Sequence, residues 1–119
     1  MSVTVDRQAF SNKDEAIACI ESLSLFRRDG ALAAGDLEDV HWHKTSLRIF
    51  VLEGTFETKD VALDQLLLAG AGDVISIPSA TLHAARCPIP AKYVVGFESE
   101  EAAKTFRPES PGDLPEATS

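Results

Sequence analysis

Apolar residues recur at helical spacing in one segment near the N-terminus, "NKDEAIACIESL", residues 12–23. Positions three or four apart lie on one face of an α-helix. The apolar positions of this segment that fit that spacing are Ala16, Ile17, Ile20 and Leu23. Asn12 can cap the first turn, and Glu15 stands three residues later, as in a capping box. The pattern therefore predicts one short helix over residues 12–23.

Beyond residue 24 the pattern changes to short apolar or alternating runs separated by Gly, Asp and Pro. Runs of this length with such punctuation predict strands. Their approximate positions are 24–28, 31–34, 38–43, 47–53, 55–59, 62–68, 73–77, 82–87 and 91–98. Many short strands at this spacing are typical of a sandwich or barrel. The predicted class is all-β, with a short N-terminal helix.

The strand near 47–53 is apolar on both of its faces. Alternation places Leu47 with Val51 on one face and Phe50 with Leu52 on the other. A strand of this kind is buried on both sides. We expect the outer face, together with Trp42, to need a cover, which predicts a homodimer.

The chain of 119 residues is of a size typical of one domain. We expect a single domain over 1–119, with the barrel at about 24–98. The tail, residues 107–119, is rich in Pro, Ser and acidic residues. Such a composition buries little apolar surface, so we expect the tail to be mobile or laid over the surface.

Charge and cysteine content narrow the class of function. The formal net charge is −8 and the sequence has no Lys/Arg cluster, which argues against nucleic acid and anionic membrane partners. Two cysteines are too few for a disulfide framework. No apolar run approaches the length of a membrane span, and no signal peptide is recognisable. These features predict a cytoplasmic protein.

Two of the three histidines, His41 and His43, stand one residue apart. On a strand they face the same way, about 6–7 Å apart, with Trp42 on the opposite side. That separation allows both imidazoles to bind one ion. The alternative is a pair of exposed or hydrogen-bonded histidines at a strand edge. The third histidine, His83, follows a strand and a Pro corner forty residues later.

In these stretches the sequence resembles the cupin family. The first cupin motif is Gly, five residues, His-x-His, three or four residues, Glu, six residues, Gly. This chain fits its spacing over residues 35–54, with Gly35, His41, His43, Leu47 and Gly54 in the fixed positions. The second motif is Gly, five residues, Pro-x-Gly, two residues, His, three residues, Asn. Its fixed positions here are Gly72, Pro78, Ala80, His83 and Cys87.

The chain departs from the family pattern at three positions. Leu47 occupies the glutamate position, Ala80 the glycine position and Cys87 the asparagine position. The resemblance implies a cupin jelly-roll barrel in which His41, His43 and His83 bind the metal. Without the glutamate, the site is similar to the three-histidine subset of the family, which includes iron dioxygenases that act on thiols or β-diketones.

The resemblance also implies one divalent transition metal, Fe, Zn, Ni or Mn, and a small-molecule ligand inside the barrel. We expect the pocket to be lined by Leu47, Ile49, Val51, Ile75, Ile77, Ala85, Cys87 and Tyr93. Two functions stay open. One is a mononuclear, dioxygenase-like oxidoreductase that acts on a small chelating organic substrate. The other is a non-catalytic cupin module that binds a small ligand or a metal for regulation.

Overall fold

The computed structural model of the chain describes residues 2–113, and the last part of the predicted tail, 114–119, lies outside the described residues. Within residues 2–113 there are two α-helices, α1 (Lys13–Ser22) and α2 (Glu100–Thr105), and a 3-10 turn spans Pro111–Asp113. The strands are β1 (Thr4–Asp6), β2 (Phe26–Leu32), β3 (Leu37–His41), β4 (Leu47–Asp60), β5 (Gln65–Gly70), β6 (Val74–Ile77) and β7 (His83–Phe97). No helix among these residues is long and apolar enough to cross a membrane.

All seven strands belong to one antiparallel sheet in the order β1-β6-β4-β7-β2, with β5 added to β4 and β3 added to β7. The long strands β4 and β7 each exchange partners along their length. The first half of β4 pairs with β6, whereas its second half pairs with β5, and β7 runs beside both halves. The sheet thereby folds over itself into a barrel, which confirms the all-β expectation.

Helix α1 begins as its sequence predicts. The Asn12 side chain accepts a hydrogen bond from the Glu15 N–H at 2.9 Å, and the Glu15 carboxylate accepts one from the Ser11 N–H at 2.8 Å. Ala16 and Ile20 are buried and pack with Phe10, Phe50 and Val74. The helix thus covers the outer face of β4.

Three stretches that separated predicted strands lie inside continuous strands. "RDG" at 28–30 falls within β2, "EG" at 53–54 within β4, and "CPIP" at 87–90 within β7. The pairing of β4 with β7 shifts register between Val51 and Glu57, as bulges do. Gly54 has a φ of +83°, and a Cβ atom there would lie 2.0 Å from the Pro90 carbonyl oxygen. The glycine therefore permits a close crossing of two strands and not a chain reversal.

The apolar residues expected to need a partner chain are largely covered within the chain itself. Phe50 is 2% exposed beneath α1, Leu52 packs against the same cluster, and Trp42 is 4% exposed against residues 109–110. The argument for a dimer from these residues is wrong, because it took no account of the helix and the chain end as covers. The homodimer itself stays a prediction.

The Pro corner contains a strained residue at the position where cupins carry glycine. Ala80 has a φ of +55°, and its N–H donates to the His43 carbonyl at 2.8 Å. The left-handed region costs a non-glycine residue about 1–2 kcal/mol. Ala80 therefore holds the loop beside a site histidine under backbone strain.

Replacing Ala80 with glycine should relieve that strain. We expect Ala80→Gly to raise the free energy of unfolding by about 0.5–1 kcal/mol. This is less than the full strain, because glycine also increases the conformational entropy of the unfolded chain. Urea denaturation of the purified protein measures the change. Ala31→Gly, in a strand without positive φ, is the matched control and should lower stability. A loss of stability in both variants would contradict the prediction.

Candidate metal centre

The three histidines meet at one end of the barrel. His41 ends β3 and lies directly opposite His83, the first residue of β7. His43 follows two residues later, where its carbonyl is held by the Pro corner. The ring centroids lie 4.3 Å apart for His41 and His83, 4.7 Å for His41 and His43, and 5.1 Å for His43 and His83. The fold thus brings together residues separated by forty positions in the sequence.

The rings are spaced for a single ion. One potential ligand atom from each histidine lies within 4.8 Å of those of the other two, and all three residues are buried. Metal–nitrogen bonds of about 2.0–2.1 Å can join such atoms after small side-chain rotations. Among the His, Cys, Asp and Glu side chains of residues 2–113, only these three lie close enough together to hold one metal ion.

Backbone carbonyls fix the tautomer of each ring. The Nδ1 atom of His41 contacts the Asp39 carbonyl, that of His43 contacts the Arg107 carbonyl at 2.9 Å, and that of His83 contacts the Thr81 carbonyl at 2.8 Å. Because a carbonyl oxygen only accepts hydrogen bonds, each Nδ1 carries the proton. In a neutral ring, Nε2 then keeps its lone pair for a metal. The donor set fits a divalent transition metal, with the outer hydrogen bonds that such ligands usually make.

Burial keeps two of the rings neutral. Loss of hydration is the largest influence on both, and it lowers the pKa of His43 and of His83 from 6.5 to about 4. The hydrogen bonds to the Arg107 and Thr81 carbonyls oppose this shift only in part. Both imidazoles are therefore unprotonated at neutral pH, the form that a metal requires.

A cavity of about 80 Å³ adjoins the histidines inside the barrel. Five of the residues expected to line a pocket do so here: Leu47, Ile49, Ile77, Ala85 and Tyr93. Leu47, in the cupin glutamate position, is buried at the cavity wall. An apolar group thus occupies the place where the family usually has a carboxylate.

Three expected lining residues lie elsewhere. Val51, Ile75 and Cys87 are fully buried in the barrel core, outside the lining of this cavity. They keep the inward phase of Ile49, Ile77 and Ala85 and belong to the same core cluster, but each lies two residues away along its strand, beyond the cavity. Burial is the main cause that raises the pKa of the Cys87 thiol, with smaller contributions from nearby carboxylates, so this cysteine is a neutral thiol.

Four further residues line the cavity that the sequence reasoning missed: Glu38, Phe56, Val95 and Phe106. Val95 continues the inward alternation of Tyr93, which the sequence shows. Phe56 faces inward only because the bulge in β4 reverses the phase set by Ile49 and Val51. Glu38 and Phe106 depend on a strand irregularity and on the path of the chain end. Local patterns carry no sign of either.

The chain end forms a strap over the site, which we define as residues 106–110. Phe106 packs on the His43 ring with centroids 4.4 Å apart, and the Arg107 carbonyl holds the Nδ1 proton of the same ring. Glu109 exchanges backbone hydrogen bonds with Trp42, whose indole N–H donates to the Ser110 carbonyl at 2.8 Å. The strap therefore anchors Trp42 and orients His43. The sequence predicted only that residues 107–119 are mobile or laid over the surface.

The carboxylate of Asp60 lies beside His83 and is held by backbone N–H groups. Asp60 is opposite His83 in the ladder between β4 and β7 and is 1% exposed. Its oxygens accept the Val3 N–H at 2.9 Å and the Leu63 N–H at 3.2 Å. Asp60 is thus satisfied by backbone donors and ties the N-terminal segment to the barrel.

Comparisons with known proteins agree with this architecture. No protein-family model and no curated protein matches the sequence. Among solved structures, a DUF861 family protein from Thermotoga maritima has a TM-score of 0.57 and 12% identity, with 80% of this chain and 98% of that chain covered. An RmlC-like cupin from Shewanella frigidimarina has a TM-score of 0.55 and 25% identity, with 65% and 68% covered.

The salicylate 1,2-dioxygenase from Pseudoaminobacter salicylatoxidans, solved with gentisate, has a TM-score of 0.58 and 17% identity. The match covers 72% of this chain but only 24% of that enzyme, so this chain spans about a quarter of its length. The resemblance to the cupins, stated from the two histidine motifs, is confirmed by these structures. The chain has the cupin fold.

Proposed function

We propose that the protein is a metal-binding cupin whose three histidines hold one divalent transition metal, and that it acts as a dioxygenase-like enzyme on a small chelating molecule. The observation that carries the proposal is the convergence of three buried imidazoles, each with Nδ1 bound to a carbonyl. Iron, zinc, nickel and manganese are the metals we propose; imidazole ligands suit the first three, whereas manganese more often binds oxygen ligands.

A divalent ion held by three neutral ligands is a strong Lewis acid with open coordination positions for a substrate. The residues of the chain supply the surroundings. Leu47, Ile49 and Ile77 exclude water from the cavity, and Phe106 closes it beside His43. An apolar cavity that is largely shielded from water strengthens polar contacts to a bound molecule. This environment favours a substrate that binds by its chelating end and is otherwise compact.

The size of the cavity limits the substrate. A volume of about 80 Å³ lies far below the roughly 300–1,000 Å³ of pockets for drug-sized ligands. We therefore propose a substrate of only a few non-hydrogen atoms. Gentisate, the ligand of the dioxygenase with the same fold, is an aromatic acid and would need a larger cavity than this one.

The competing function is a non-catalytic module that binds a metal or small ligand for regulation. Leu47 favours it, because the usual metal-binding carboxylate is absent from that position. Oxygen uptake separates the two functions. The protein is loaded with Fe(II) in the absence of air and then mixed with oxygen and a panel of small diketones, hydroxy acids and thiols. At least one member of the panel should cause oxygen uptake. Metal shown to be bound, with no uptake across the panel, would favour the module.

Metal binding should depend on His83. We expect the wild-type protein to bind one equivalent of Zn(II) and gain about 2.7 kcal/mol of stability when the free ion is at a hundredfold its dissociation constant. His83→Ala should remove that gain, because two imidazoles remain. Differential scanning calorimetry with and without zinc measures it.

Arg86→Ala is the matched control for that experiment. Arg86 lies three residues further along β7 and faces solvent, where it pairs with Glu57. Loss of an exposed ion pair changes stability by at most about 1 kcal/mol. The control should keep the full zinc effect. An equal zinc effect in wild type and His83→Ala would refute the site.

The strap should contribute to metal affinity through His43. Phe106→Ala removes the ring that packs on His43, so the imidazole loses one of its two supports. Loss of a hydrogen-bonded partner of a metal ligand weakens metal affinity by about 10–100-fold, and we expect loss of this packed ring to fall at the lower end of that range. Zinc competition with a chromophoric chelator gives the dissociation constant. Phe26→Ala, at an exposed phenylalanine on β2, is the control and should leave affinity unchanged; equal affinities in both variants would exclude the strap.

A further inference from the structure

The cavity contains one carboxylate that neither the metal site nor the fold uses. Besides the histidines, its lining is apolar except for Glu38 and Tyr93. Glu38 is exposed, so it lies where the cavity opens to solvent. A charged group at the entrance of an apolar cavity influences which molecules bind there.

A strand bulge aims Glu38 at the cavity. In the ladder between β3 and β7, Glu38 is opposite Ala85 and His41 is opposite His83. Three steps along β3 therefore match two steps along β7, so β3 carries one extra residue. In a regular strand, residues three apart face opposite sides. The extra residue places Glu38 on the same face as His41.

The same bulge serves the metal site. Asp39 lies within it, and its carbonyl accepts the Nδ1 proton of His41. The backbone irregularity that orients a proposed metal ligand thus also turns Glu38 inward. One local feature couples the two groups, and their relative position is set by the ladder with β7.

The Glu38 carboxylate is available to a ligand. Within residues 2–113, no side-chain hydrogen bond or ion pair engages it, whereas Glu57 pairs with Arg86 and Asp60 accepts two backbone N–H groups. Burial is the main cause that raises the pKa of the Tyr93 phenol, and the negative charge of Glu38 is the next. Glu38 and Tyr93 therefore lie close enough to interact across the cavity. Gly30 provides the space for the Tyr93 ring, since a Cβ there would lie 2.4 Å from it.

Glu38 does not complete the metal shell in this structure. Its oxygens fall outside the group of ligand atoms that lie within 4.8 Å of one another. It is also not at the family's glutamate position, which is Leu47. The carboxylate therefore lines the same cavity as the histidines without belonging to their cluster.

We propose that Glu38 makes the site selective for small chelating molecules that present a cationic or hydrogen-bond-donating group at the end away from the histidines. The proposal rests on the proposed metal site and specifies its substrate class. A chelating anion of the same size that lacks such a group is repelled by the Glu38 carboxylate and forms no hydrogen bond or ion pair with it, so it should bind more weakly. Tyr93 supplies a second polar contact beside it.

Two hydroxamates with the same chelating head test this selectivity. Glycine hydroxamate carries an ammonium group that acetohydroxamate lacks, and both have only a few non-hydrogen atoms. The Co(II)-loaded protein reports binding of each through its visible absorption. For each variant we take the ratio of the two dissociation constants. Intrinsic differences between the two probes affect this ratio equally in every variant, so only a change in the ratio reports on the substituted residue.

We expect the preference for glycine hydroxamate to fall by about fivefold to tenfold in Glu38→Gln, since an ion pair near solvent contributes up to about 1 kcal/mol and an enclosed one more. Glu53→Gln is the control. Glu53 is exposed, pairs with Lys92 and lies outside the cavity lining. The ratio of dissociation constants in Glu53→Gln should therefore equal that of the wild type. Thermal melts verify that all variants are folded.

The outcomes separate the two proposals. An unchanged ratio in Glu38→Gln, with cobalt bound, overturns the role of Glu38 and leaves the metal site standing. A ratio that falls equally in Glu53→Gln shows a general effect of surface charge and also overturns it. Failure of the wild-type protein to bind cobalt overturns the metal site and this inference with it.

Discussion

Three backbone carbonyl oxygens hold the imidazole rings of this protein in one orientation. They belong to Asp39, Thr81 and Arg107, on three segments that are distant in sequence. Each carbonyl accepts the Nδ1 proton, so each Nε2 is free and the rings face a common point. Without these contacts the rings could rotate or exchange tautomers, and neither the spacing of the site nor its chemistry would be defined.

These carbonyls are free because the backbone is irregular where they occur. In a regular ladder, a strand's carbonyls are used by its neighbours. Asp39 lies in the bulge of β3, Thr81 follows the strained Ala80, and Arg107 lies in the strap. Departures from ideal geometry at the end of the barrel thus provide the hydrogen-bond acceptors that the site requires. The long regular parts of β4 and β7 position these irregular segments relative to one another.

The residues that repeat locally were predictable. The spacing of apolar residues gave helix α1, and the alternation of His41 and His43, joined to His83 by the second motif, placed the three histidines in one family pattern. Glu38 was missed because the direction of its side chain depends on one extra residue in β3, in the ladder that β3 forms with the distant strand β7. Phe106 was missed because it reaches His43 from far along the sequence; its neighbour Arg107, which also contacts His43, is 64 positions away from that histidine. Bulges were interpreted as turns, since Gly and Pro mark both.

The central claim is that three Nδ1-protonated histidines bind a metal through Nε2, and nitrogen NMR tests it most directly. The chain has three histidines, so ¹⁵N-histidine labelling observes the whole site without ambiguity. Long-range ¹H–¹⁵N spectra at neutral pH should show all three rings with the proton on Nδ1. Addition of one equivalent of Zn(II) should shift all three Nε2 signals and leave the Nδ1 protons in place. A ring with its proton on Nε2, or Nε2 signals that zinc does not move, would contradict the account.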